Sequence, residues 1–181
     1  MKKYDNNKVQ VSLAGEFAVL SQLALHGKDA NMVLGNTKSV DILVSDPETS
    51  RLLKLEVKTS YNNNKKIIKS RLFGNFLCSW MLSEKNEKYN KKIDANLFYC
   101  FVDINKKTEQ FKFYIIPAKV VADYVTKEDR YFFREKKKEG KSVKKTPIRN
   151  FRIGTIKEKS SYKIKTPFAE DYKDNWNFEI K

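Results

Sequence analysis

Asp41, Glu56 and Lys58 are the residues of this 181-residue sequence whose types and spacing could do chemistry. Asp41 stands in Val40-Asp41-Ile42-Leu43-Val44, and Glu56 and Lys58 close the run Leu52-Leu53-Lys54-Leu55-Glu56-Val57-Lys58. Between them lies Asp46-Pro47-Glu48-Thr49-Ser50, a strong turn signal because Asp and Ser bond nearby backbone and Pro presets a turn φ. An antiparallel hairpin turning between Glu48 and Thr49 sets Asp41 opposite Glu56. Directly opposed residues on one sheet face have Cβ atoms roughly 4.5–5.5 Å apart, where like charges repel. Such a pair calls for a cation between the two carboxylates. Magnesium takes hard oxygen ligands and keeps positions for water and a phosphate oxygen, so the chemistry this spacing suits is phosphoryl transfer. Lys58 lies two residues past Glu56, about 6.6–6.8 Å along a strand, within reach of the same phosphate or an attacking water. A slip of one residue in the register would turn Asp41 to the other face and undo the arrangement.

The elements that must position these groups are legible in the hydrophobic pattern. In residues 52–58, Leu53, Leu55 and Val57 share one strand face, and Lys54, Glu56 and Lys58 the other. Upstream, Val9, Leu13, Phe17, Leu20 and Ala24 recur at three- and four-residue spacing, which predicts an amphipathic helix from Val9 to about Leu25 with Gly27 as its stop. Glu16 lies between Leu13 and Leu20 and so borders the apolar face. Its partner could be Lys58, a water on a metal, or a surface lysine. His26, just before the glycine, reads as a partner of helix-end carbonyls. Asn31-Met32-Val33-Leu34, ended by Gly35-Asn36, and residues 40–44 read as strands, as do Phe76 to Leu82, Asn96 to Ile104 and Phe111 to Ile116. Pro117 is expected at the first position of a helix over Ala118 to Val125, followed by a charged helix (Glu128 to Glu139) and a tail with Tyr162, Tyr172 and Trp176. The expectation is one mixed α/β domain, 1–181, with a motif-bearing core at about 9–125 and a basic C-terminal extension at about 126–181.

Thirty-seven Lys and Arg against 22 Asp and Glu give a formal charge of +15, which favours an anionic partner such as nucleic acid or an acidic membrane. Arginine is sparse while Lys and Asn abound, so part of this excess reads as compositional bias. No stretch approaches the roughly 20 apolar residues that span a bilayer, and no apolar run follows the first lysines, so the chain reads as cytoplasmic with no membrane partner. Cys78 and Cys100 sit in hydrophobic runs and read as buried free thiols. Residues 61–70 read as a basic loop, with Lys65, Lys66, Lys69 and Arg71 as candidate nucleic-acid-binding residues. The run Lys136 to Lys145 reads equally as phosphate contact or solvated face. Tyr131-Phe132-Phe133 and Trp80 read as packing before base stacking.

Asp41, then Glu56-Val57-Lys58 after a hairpin, with an upstream helical Glu16, resembles the PD-(D/E)XK nuclease superfamily over about residues 9–60. Val40 replaces the family's Pro, at a position the family itself varies. Gly15-Glu16-Phe17, Gly27, Gly35-Asn36 and Val40-Asp41 are similar to small bacterial or phage members and to the Holliday-junction resolvase branch. The resemblance implies a restriction-endonuclease-like α/β fold, a mixed central sheet flanked by helices. It also implies a metal-dependent endonuclease hydrolysing DNA phosphodiester bonds. By resemblance, Asp41, Glu56 and Glu16 are the magnesium ligands, with manganese as a substitute, and Lys58 orients or activates water. DNA is then the partner, a homodimer suits cutting of both strands, and no small-molecule cofactor is expected. Restriction, recombination and repair stay open, as does RNA. The competing readings are a non-catalytic nucleic-acid-binding module that retains the fold, and a protein-interaction domain whose charge reflects composition alone.

Overall fold

The computed structural model describes residues 7–33, 40–63, 67–87, 93–155 and 164–180. Helix α1 (Lys8–Leu25) starts at Asn7, whose side chain accepts from the Gln10 N–H while the Gln10 side chain accepts from the Asn7 N–H. This reciprocal cap satisfies two otherwise orphaned donors. Gly27, at φ +68, lets the chain leave the helix where a side chain would be strained.

Five strands side by side make a mixed sheet; the first lies two residues before the run expected at 31–34, and the third runs on to Asn62, into the segment expected to be a basic loop. They are β1 (Asp29–Met32), β2 (Ile42–Asp46), β3 (Arg51–Asn62), β6 (Leu97–Asn105) and β7 (Phe111–Pro117). All neighbours are antiparallel except β3 and β6, which run parallel. A parallel pair needs a long crossover. Here it contains β4 (Ile68–Ser70), β5 (Gly74–Ser83) and a short 3-10 turn (Glu84–Asn86). With β8 (Ile148–Gly154) these strands form a second, antiparallel sheet, β4-β5-β8. Helix α2 (Ala118–Lys138) and a single turn, α3 (Ala169–Tyr172), complete the elements. The architecture is thus a mixed central sheet flanked by helices.

Both faces of the central sheet are covered. On one, Leu53, Leu55, Val57 and Cys100 pack against Val19 and Leu23 of α1 and against Trp176 and Phe178. On the other, Tyr99, Phe101 and Tyr114 pack against Trp80, Phe151 and α2, with the Phe101 and Phe151 rings stacked at 4.4 Å. Cys78 and Cys100 are buried free thiols, as expected, and Trp80 is buried in the core. No described helix is long and apolar enough to cross a membrane.

Three expectations need correction. The buried face of α1 is Gly15, Val19 and Leu23, not the stripe read from the sequence: Val9 is 66%, Leu13 40% and Phe17 59% exposed. Apolar residues surround this helix on most sides, so periodicity did not single out a face. The face was chosen by closeness of approach, since Gly15 lies where an added Cβ would fall 1.9 Å from Thr59 Oγ1. Pro117 ends β7 and forms the N-cap of α2, with ψ 137, instead of occupying its first turn. Finally, α2 is one uninterrupted helix through Thr126 and Glu128, both buried. The segment beyond it supplies β8 to the second sheet, and Trp176 and Phe178 to the core. The terms Leu34, Gly35-Asn36 and Tyr162 of the sequence reading lie outside the described residues.

Candidate active site

The site is built on the hairpin of β2 and β3, and Asp46 fixes that hairpin. Its carboxylate accepts from the Thr49 hydroxyl (2.8 Å) and the Glu48 N–H (3.2 Å), and Lys28 Nζ lies 2.9 Å away. The Lys28 partner and the Thr49 bond hold the Asp46 carboxyl below its usual pKa, against the opposing pull of burial. With the turn anchored, the ladder runs Asp46 to Arg51, Val44 to Leu53 and Ile42 to Leu55. That is the register the turn signal implies.

Asp41 sits one residue before this ladder. Its N–H donates to the Leu55 carbonyl (2.8 Å), and its Oδ2 accepts from the Val57 N–H at 2.7 Å. Its backbone and one oxygen of its half-buried carboxylate thereby grip the β3 backbone on either side of Glu56, the oxygen at Val57 alone. Glu56 is buried, and its Oε1 is 2.8 Å from Lys58 Nζ. Its Oε2 is buried, and beyond Lys58 the donor beside the Glu56 carboxylate is the Tyr99 hydroxyl. A buried carboxylate this sparsely bonded is costly, and it is the kind of group a cation would satisfy. Magnesium is held in such sites by one or two carboxylates together with water and substrate phosphate, so Asp41 and Glu56 fit a magnesium ion.

The structure brings Asp41, Glu56 and Lys58 together. Glu16 lies elsewhere: α1 packs on the sheet face that carries Val57 and Thr59, whereas Glu56 and Lys58 alternate onto the opposite face. Glu16 accepts from the Ser12 hydroxyl at 3.0 Å. Among the described residues, no three His, Cys, Asp or Glu side chains gather as a metal-binding group. Of the candidate nucleic-acid contacts, Lys69 is exposed on β4 opposite Asn75. Arg71 is exposed and paired with Glu139 just beyond α2. Lys65 and Lys66 lie outside the described residues. His26 caps α1 through its backbone N–H, and its ring stacks on Trp176 with centroids 5.5 Å apart.

Two site residues were not legible in the sequence. Parallel pairing sets Tyr99 beside Glu56, and the Asn86 side-chain amide donates to the Tyr99 hydroxyl at 2.6 Å. Asn86 is held in turn by the Ser83 N–H (3.0 Å) and hydroxyl (3.2 Å), which donate to its Oδ1. Burial first, then the negative charge of Glu56 and a hydrogen bond to it, push the Tyr99 hydroxyl far above its usual pKa. The phenol therefore keeps its proton beside the carboxylates. No spacing rule could join residues 56, 86 and 99, because a crossover separates the strands.

Fold and site together define a mixed α/β protein that presents two carboxylates and a lysine at a sheet hairpin. No protein-family model matches the sequence, and no curated protein matches it. Among solved structures, the chain is similar to a bacterial homing endonuclease, at 16% identity and a TM-score of 0.48, over 95% of this chain and 90% of that one.

Proposed function

We propose that this chain is a magnesium-dependent endonuclease that hydrolyses DNA phosphodiester bonds. The observation that carries the reading is the meeting of Asp41 and Glu56 across the hairpin, with Lys58 at one Glu56 oxygen. The donor set is Asp41 and Glu56, with Glu16 outside it. A magnesium ion bound there supplies a Lewis acid for the phosphate and lowers the pKa of a bound water. The chain's own residues do the rest. Asp41 is oriented by the Val57 N–H, Glu56 is oriented by Lys58, and Lys58 carries the positive charge that stabilises the phosphorane-like transition state. The charge of +15 supports a polyanionic substrate. Cutting both strands takes two such sites, which a homodimer supplies.

The test is cleavage of supercoiled plasmid and a synthetic four-way junction, with magnesium or EDTA, by the wild type, Glu56→Ala and Lys58→Ala. Cutting only with magnesium, lost in Glu56→Ala and reduced about 100- to 1,000-fold in Lys58→Ala with DNA binding kept, supports the enzyme. A second reading, a binding module that retains the fold, is favoured by the Lys58 ion pair on Glu56 and the position of Glu16. Salt-sensitive binding with intact DNA under every condition would decide for it.

A further inference from the structure

Helix α1 is apolar on two sides, and the central sheet takes only one of them. Gly15, Val19 and Leu23 are buried against the sheet. Val9, Leu13, Phe17, Leu20 and Ala24 share another side at the spacing of a packing face. Of these, Val9, Leu13, Phe17 and Ala24 are exposed and Leu20 is half-buried. Leu13, Phe17, Leu20 and Ala24 follow one another at steps of four, three and four residues, the seam with which one helix packs along another.

Charge limits what can cover this seam. Of the 18 residues of α1 only Lys8 and Glu16 are charged, although charged residues make up 33% of the chain. Nucleic acid or an acidic protein would be drawn to the lysines elsewhere. A helix that lies on a membrane carries Lys and Arg on its polar face, and α1 has no such face. A second copy of a chain with charge +15 is repelled by most of this surface, so two copies can meet only where charge is sparse, and α1 meets that condition.

We infer that two copies of this chain associate through α1, with the two helices antiparallel, Phe17 of each against Leu20 of the other and Leu13 against Ala24. That register is self-complementary, as a two-fold contact must be. It sets Glu16 opposite Ser21, away from the other Glu16, and brings Lys8 toward the C-terminal end of the other helix. A cation there is favourable, and α1 has no basic residue in its own last turn and no acidic one in its first. A parallel pair would instead set Lys8 on Lys8 and Glu16 on Glu16. The inference names the surface of the homodimer proposed for cutting both strands, but its support lies in α1 itself. Because α1 and the Glu56–Lys58 pair occupy opposite faces of the central sheet, association leaves both hydrolytic sites open. A helix pair about 27 Å long buries less than the roughly 800 Å² per partner of a standard interface, so the dimer is expected to dissociate on dilution.

The experiment is sedimentation equilibrium of the full chain over a range of concentrations at low and high salt, without DNA or magnesium. Circular dichroism melts check the folding of each variant. The wild type is expected to show a monomer–dimer equilibrium that tightens as salt rises, because screening weakens the repulsion between copies. Phe17→Glu and Leu13→Glu, both at exposed positions, should each raise the dimer dissociation constant at least roughly 30-fold. Met81, 67% exposed on β5, is the control, and Met81→Glu should leave the dimer unchanged. A mixture of Phe17→Cys and Leu20→Cys chains should form disulfide-linked dimers faster than either variant alone, which reads the register without a charge in the seam. A monomer at every concentration, a dimer that Phe17→Glu and Leu13→Glu leave intact, or equal cross-linking rates overturns the inference. A monomer that binds anionic lipid vesicles through Phe17 overturns it in favour of a membrane. A dimer that behaves as expected in a chain that never cuts with magnesium overturns the endonuclease reading alone, and cutting by a chain that stays monomeric overturns the α1 pairing alone.

Discussion

Replacing Gly15 by Ala puts two opposing effects on one position. In a helix interior the substitution ordinarily stabilises by about 0.5–1 kcal/mol, because glycine loses more backbone freedom on folding. Here the new Cβ meets Thr59 Oγ1 at 1.9 Å and both Thr59 Cβ and Cγ2 at 3.0 Å. Thr59 cannot easily turn away, since a β-branched side chain in a strand is stiff at χ1. Helix α1 must then lift from β3, at a cost of about 1–3 kcal/mol for overpacking. The expected net is a destabilisation of up to about 2.5 kcal/mol, read by urea denaturation as a lower midpoint with an unchanged slope. The companion variant is Thr59→Ala, which removes the hydroxyl and methyl and leaves only the Cβ in close contact. On that background Gly15→Ala is expected to recover at least about 1 kcal/mol, a coupling that strictly additive effects would not show. A Gly15→Ala protein more stable than the wild type, or an additive double mutant, would refute the close approach of α1 to β3.

Tyr99→Phe is expected to destabilise by about 0.5–1.5 kcal/mol through loss of the Asn86 bond. Asn86→Ala should add little to it in a double-mutant cycle measured by denaturation, and additive losses would count against the bond. Asp46 links stability to pH. Its folded pKa is lowered, so its contribution is full above the ordinary value of 3.8 and disappears as pH falls through the lower folded value. Asp46→Asn should therefore be less stable at neutral pH, with the gap to wild type closing in acid; a gap constant with pH would count against the Lys28 and Thr49 contacts. The Cys78 thiol is pushed up to about 12, chiefly by burial and then by Asp103, and burial also raises Cys100. Neither should react with a disulfide thiol reagent at neutral pH until denaturant is added, and rapid labelling of the native chain would contradict their burial.

Local chemistry alone determined the part of the site that lies within one hairpin. The Asp46 to Ser50 turn signal and the alternation over 52–58 set the register, and with it the meeting of Asp41 and Glu56, because a short turn leaves a two-stranded ladder little choice. The Gly27 stop of α1 and the strands β5, β6 and β7 were legible for the same reason: each is specified by residues near it in sequence. Tertiary structure decided everything that depends on which elements meet. It placed Tyr99 and Asn86 beside Glu56 across a crossover, turned Gly15 instead of Phe17 to the sheet, and left Glu16 on the face away from Glu56. It also joined β8 to β5, converting a basic tail into part of a second sheet. Spacing in sequence reports contacts within a turn or a helix, but the packing partner of a face is chosen by shape and burial over the whole chain, and no local pattern contains that choice.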